Sequence, residues 1–283
     1  MTMASIEVIG FVLAGVLLAS VYFRHVPITR PPIGVMNLTD TLVFMFGLVV
    51  TPYLYVFLAP TSVGVMLGIV VLSILYFTLE PILKHRLLVW SSCLIIVAAD
   101  VGAALFMGTD DVAFLFINNA TLLLAVIGVS NLWAQSGMRA RDVTILAAAL
   151  AVYDYVATWR LPVMTELFTE LSGLPLAPLF GGGASSVNTS LYLGFGDVLM
   201  AALVPLVFRK AFGKQAGYIA LIVGISTIAA SVLLVSSGVV SVAIPVMIVL
   251  GPLDVVQYIC WRSSRRSERT TFQYLLAESV KTR

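Results

Sequence analysis

From Val112 to Ala134 the chain reads VAFLFINNATLLLAVIGVSNLWA, without a single Asp, Glu, Lys or Arg. About 20 mainly apolar residues in helical form, rising about 1.5 Å each, cover the roughly 30 Å hydrocarbon core of a bilayer. The stretch is too long for a buried strand and too apolar for a surface helix, so it predicts a transmembrane helix. The rest of the chain repeats the pattern. Comparable apolar stretches run over 8–23, 41–59, 62–79, 87–107, 143–159, 189–208, 216–235 and 239–261. With the stretch quoted they make nine expected spans, and the fold class expected is an all-α polytopic membrane protein.

Composition agrees with that reading. Of 283 residues 60% are hydrophobic and 11% charged, whereas a soluble domain has about 25% charged residues to cover its surface. A formal net charge of +2 gives no field for nucleic-acid binding. Cys93 and Cys260 both fall in apolar stretches, so they supply neither a disulfide framework nor a four-ligand zinc site. His25 and His85 stand beside Arg24 and Arg86 in polar connections. Metal-dependent and Ser/His/Asp chemistry therefore lack material, and no metal or cofactor is expected.

Orientation follows from the basic residues. Alternate connections hold Arg24 and Arg30, then Lys84 and Arg86, then Arg139 and Arg141, then Arg209, Lys210 and Lys214, and the tail from 262 to 283 holds six more. The opposite connections hold only Arg160, with Asp110, Asp111, Glu166 and Glu170. The positive-inside rule then places the N-terminus outside and the C-terminus in the cytoplasm, which requires an odd number of spans. No Lys or Arg precedes the first span while Arg24 follows it, the reverse of a signal peptide, so that span is read as retained. The expected organisation is a transmembrane domain over 1–261 and a basic cytoplasmic tail over 262–283. The outer segment 161–188 joins spans six and seven. Met164, Leu167, Phe168 and Leu171 at helical spacing, followed by Gly181-Gly182-Gly183, predict an interfacial helix and a flexible return.

Ionisable residues inside spans cost about 2.5–3.5 kcal/mol each on insertion scales and are functional hypotheses by default. Four qualify: Asp100, Asp154, Asp197 and Asp254. Asp154 and Asp197 lie at one depth on consecutive spans, roughly 17 Å from the inner ends by helical rise. Two carboxylates that meet in such a site cannot both stay ionised and share one proton, the arrangement with which an aspartic protease activates water. Asp197 stands in Leu193-Gly194-Phe195-Gly196-Asp197, where two glycines allow a close approach of helix or substrate. Asp154 follows Tyr153 in Ala151-Val152-Tyr153-Asp154-Tyr155, a phenol able to donate to a carboxylate. Asn118 and Asn119 are expected to form interhelical hydrogen bonds, and Asp254 to act as a packing group or a partner of Arg262.

With Tyr-Asp in the sixth span and Gly-Phe-Gly-Asp in the seventh, the sequence resembles the intramembrane aspartyl proteases of the presenilin and signal-peptide-peptidase family, particularly its shorter prokaryotic members. The resemblance implies nine spans, Asp154 and Asp197 as the catalytic pair, and Tyr153, Gly194 and Gly196 in support. It implies transmembrane proteins or peptides as substrates, and a site within the lipid bilayer of the cell membrane. The family's Pro-Ala-Leu in span nine has its nearest counterpart in Val242-Ala243-Ile244-Pro245. Ala243, Ile244 and Pro245 are thus the candidates for positioning substrate, a proline there freeing backbone groups for an extended peptide. Two alternatives stay open: a proton- or cation-coupled carrier with Asp100, Asp154 and Asp197 as a relay, and a family member that binds helices without cutting them. A fluorescent protein fused to the tail is expected to fluoresce, and alkaline phosphatase fused at the same point to be inactive. The converse pair of results inverts the orientation.

Overall fold

The computed structural model describes residues 3–28, 38–160, 170–183, 191–238, 245–265, 267–269 and 273–274. Among them are nine long helices, one in each expected apolar stretch: α1 (Met3–His25), α2 (Leu38–Val56), α3 (Pro60–Leu83), α4 (Arg86–Met107), α5 (Val112–Gln135), α6 (Ala140–Arg160), α7 (Phe195–Phe212), α8 (Lys214–Ser236) and α9 (Met247–Arg265). Five of them, α1, α3, α4, α5 and α8, are long and apolar enough to cross a membrane. The fold is a helical bundle of membrane type.

One part of the outer segment departs from the all-α expectation. Leu179–Gly182 (β1) and Leu191–Gly194 (β2) pair as an antiparallel two-stranded sheet, with Phe180 opposite Leu193 and Gly181 opposite Tyr192. The seventh apolar stretch therefore begins as strand and becomes helix only at Phe195. Gly194 and Gly196 are poor helix formers, while Leu191-Tyr192-Leu193 gains a pairing partner in β1. Gly181 and Gly182, expected in a flexible return, are instead wedged between helices. A Cβ on Gly182 would stand 2.6 Å from the Ala4 carbonyl oxygen of α1, and one on Gly181 would stand 2.7 Å from Leu115 of α5. Only glycine lets the strand enter that gap. Residues 161–169, including Met164, Leu167 and Phe168, lie outside the described residues, and so does 184–190.

The edge of β1 turned away from β2 is satisfied by side chains. Asn119 donates to the Gly181 carbonyl at 2.7 Å and accepts from the Gly181 N–H at 2.9 Å. Asn118 donates to the carbonyls of Ala177 and Leu179. The asparagine pair thus binds a strand edge, where helix-to-helix bonds were expected. An apolar bundle offers no water to an unpaired backbone group, and two side-chain amides replace a third strand. Asp100 acts in the same way: its Oδ1 accepts the Leu176 N–H at 2.8 Å, holding a residue of positive φ (59°) just before β1.

Helix α7 is the hub. Every residue from Val198 to Phe212 is buried, as expected of a helix apolar on all sides, and α1, α5, α6 and α8 all pack on it. Gly213, the single residue between α7 and α8, has φ 106°, a conformation open to glycine, so the two helices fold back tightly. At the C-terminal end of α7 the Lys210 ammonium is buried and donates to the carbonyls of Ala134 and Met138 at 2.6 and 2.7 Å. These belong to the last turn of α5 and the loop after it, so a cation meets the negative end of a helix.

The boundary expected at 261 falls inside α9, which runs on to Arg265. Beyond it the described parts of the tail fold back on the bundle. The Arg269 N–H donates to the Ala211 carbonyl, Tyr258 donates to Glu268, and Tyr274 is buried with its ring 5.7 Å from that of Phe23. Replacing Asn119 by Leu leaves the Gly181 N–H and C=O buried without partners, at a cost of roughly 2 kcal/mol or more. A lower thermal unfolding midpoint in detergent is the expected result; an unchanged midpoint would show that the strand edge is held otherwise.

Candidate active site

Asp154 lies on α6, fourteen residues above Ala140, and Asp197 lies on α7, fifteen residues above Phe212. At 1.5 Å per residue both stand about 21–23 Å from those two helix ends, so the matched height read from the sequence holds for helices of the observed length. The two helices touch, and Asp154 lies within electrostatic reach of Asp197. Both side chains are half-buried. The pair is therefore a juxtaposition made by the fold.

Asp197 occupies the third position of α7, whose N-cap is Gly194 in extended backbone (φ −65°, ψ 139°). Its carboxylate turns back towards Gly194, and the positive end of the helix favours an acid in this turn. A Cβ on Gly194 would come 3.2 Å from Asp197 Oδ2, so a side chain there would press on the acid. Gly196 differs: it is exposed, and a Cβ on it would meet no atom within 4 Å. The two glycines of the motif have separate roles, one giving the carboxylate room to turn and the other leaving space beside it.

The backbone of Met247, in the first turn of α9, also lies near this carboxylate. Pro245 is two residues before Met247, and the Val246 and Met247 side chains are buried. The proline of the altered third motif thus lies two residues before the part of α9 nearest Asp197; Ala243 and Ile244 lie outside the described residues. On its other side α9 packs on α6 through Gly251, where a Cβ would stand 2.6 Å from the Ala147 carbonyl oxygen and 2.8 Å from the Ala151 Cβ. One helix therefore contacts both carriers of the pair.

Tyr153 takes another direction. Its hydroxyl donates to the Leu48 carbonyl of α2 at 3.1 Å, tying α6 to α2 one residue before the acid. Asp100 and Asp254 are buried elsewhere: Asp100 clamps Leu176, and Asp254 accepts a long (3.4 Å) hydrogen bond from Gln257 one turn on. The contact with Met247 was not foreseen from the sequence, and Pro245 was the only sign of it. No protein-family model matches the chain, and no curated protein matches it either.

Gly196→Ala is expected to leave the unfolding midpoint unchanged or slightly raised, since alanine is the better helix former and the space is open. Gly251→Val is expected to lower it by forcing α9 off α6. Equal losses in the two variants would mean that the space at Gly196 is not open.

Proposed function

We propose that the protein is an intramembrane aspartyl protease that hydrolyses peptide bonds within transmembrane helices, with Asp154 and Asp197 activating a water. The observation that supports this best is the placement of two half-buried carboxylates within electrostatic reach of each other, at one height on adjoining helices, beside the open space at Gly196. Nine spans, with the N-terminus outside and the C-terminus in the cytoplasm of the cell membrane, complete the reading. Each apolar stretch is met by one helix, and the basic residues fall on alternate connections.

The chemistry needs only the pair and water. The ionised member takes a proton from water as the oxygen attacks the peptide carbonyl, while the protonated member donates a hydrogen bond to the carbonyl oxygen. Collapse of the tetrahedral intermediate breaks the C–N bond. The amine leaves with a proton from the pair, which yields a new carboxyl end and a new amino end. A substrate helix must unwind locally to present its carbonyl, so small or helix-breaking residues near the cut favour cleavage. Pro245 ahead of α9 and the backbone around Gly194 border the place where an opened chain would lie.

The carrier reading asks Asp100 to act as a mobile relay. Its hydrogen bond to Leu176 favours a fixed clamp instead. The non-cleaving reading rests on the altered third motif, and the contact of Met247 with Asp197 favours a motif changed in letters but kept in place.

With reconstituted protein and single-pass reporter helices, Asp154→Ala and Asp197→Ala are each expected to lower cleavage by about 10³-fold or more, as loss of one member of a catalytic unit does. The Asn variants should restore nothing, and folding should be kept. Asp100→Asn is expected to retain cleavage. Ion-driven solute flux that depends on Asp100, with no reporter cut, would replace the protease by a carrier.

A further inference from the structure

At the inner end of the bundle a cavity of about 670 Å³ opens between the α5–α6 loop, the end of α7, the last turns of α9 and the returning tail. Its wall carries five cations, Arg139, Arg141, Lys210, Arg262 and Arg269, against the single carboxylate of Glu268. Arg141 has a partner in Asp142 at 3.3 Å, and Glu268 is engaged by the Tyr258 hydroxyl at 3.0 Å. Lys210 is buried on the carbonyls of Ala134 and Met138 and lies within electrostatic reach of Glu268, so with Arg139, Arg262 and Arg269 beside it the wall keeps a net positive charge. These cations come from four separate segments that the fold draws together, which distinguishes the cavity from a solvated run of basic residues.

A concave, tyrosine-bearing wall that carries several arginines suits a phosphate group, whose oxygens accept the paired N–H donors of arginine. The surroundings say which phosphate. Alongside the cavity α9 presents Val249, Leu253, Val256 and Ile259, all exposed, along a stripe that ends one turn before Arg262. A free anion has no use for that stripe, whereas a lipid can lay acyl chain on it and lift its head group to the arginines. We propose that this cavity holds the phosphodiester head group of an anionic phospholipid from the adjoining leaflet, and that the bound lipid keeps the tail docked through Arg269. The inference rests on the membrane placement of the bundle and is independent of proteolysis.

Native mass spectrometry of the full-length protein released from micelles tests it, with dioleoyl phosphatidylglycerol, dioleoyl phosphatidylcholine and inorganic phosphate as separate probes. Wild type is expected to retain phosphatidylglycerol in preference to phosphatidylcholine. Arg139→Ala/Arg262→Ala is expected to weaken retention about tenfold or more, in line with loss of two cations at a membrane surface. Lys84→Ala/Arg86→Ala removes the same charge from another connection on the basic side and should retain the lipid as wild type does. Circular dichroism and a monodisperse elution profile establish that each variant folds. Equal loss in the two double variants would reduce the effect to diffuse surface charge and overturn the site. Unchanged retention in the cavity variant would overturn it as well. Displacement of the lipid by millimolar inorganic phosphate would make the ligand a soluble phosphate and overturn the lipid assignment.

Discussion

Helix α7 has no free face from Val198 onward. From Val198 to Phe212 every side chain is covered by neighbouring helices, and a segment without a lipid or water face must take its rotation and height from its surroundings. Its inner end is fixed by the Lys210 ammonium on the carbonyls at the end of α5, and its inner turn by the single-residue reversal at Gly213. Its outer end is fixed by β2, which runs straight into it and pairs with a strand wedged between α1 and α5. Asp197 sits where the strand becomes helix. Its position is therefore set at both ends by contacts tens of residues away in sequence.

Polar groups inside the bundle make that fixing possible. Asp100, Asn118, Asn119 and Lys210 each bind backbone N–H or C=O groups that no regular helix would satisfy: a left-handed turn, a strand edge, a helix end. In a medium without water such groups are the cheapest partners for irregular backbone, and irregular backbone is tolerated only where they exist. The sheet is thus a consequence of the asparagine pair as much as of its own strand propensity. This separates the intramembrane acids by position: Asp100 is engaged in holding a turn, while Asp154 and Asp197 lie within electrostatic reach of each other on helices that touch.

The helices were legible in the sequence because length and apolarity alone determine them, and α5 begins at the residue its apolar run predicted. The similar height of Asp154 and Asp197 was legible because they keep nearly the same count, fourteen and fifteen residues, from Ala140 and Phe212, a number that needs no tertiary knowledge. The sheet was hidden because Leu191-Tyr192-Leu193 is as apolar as the helix that follows, and only pairing with Leu179–Gly182 distinguishes the two states. Lys210 was hidden for a different reason. At the end of a span a lysine looks like any loop cation, and its burial under α5 depends on how α7 is rotated. Tyr153 stood beside the acid in sequence, yet on a helix adjacent residues point about 100° apart, and its hydroxyl reaches α2.

What remains is how the separation of the two carboxylates is set. Helices α6 and α7 touch, but α9 lies on both: Gly251 presses its backbone onto Ala147 and Ala151, and Met247, one turn earlier, meets the Asp197 carboxylate. A side chain at residue 251 would move α9 away from α6 and carry the Met247 N–H with it. The start of α9 follows Pro245, which has no N–H to give and disfavours helical backbone just before it. The proline therefore sets where α9 begins, Gly251 sets how close α9 lies to α6 at Ala147 and Ala151, and the first turn of α9 brings the Met247 backbone near Asp197. In this arrangement the residues around Pro245 act on the chemistry through the geometry of the pair, so the letters of the third motif can vary as long as the helix starts at the same height.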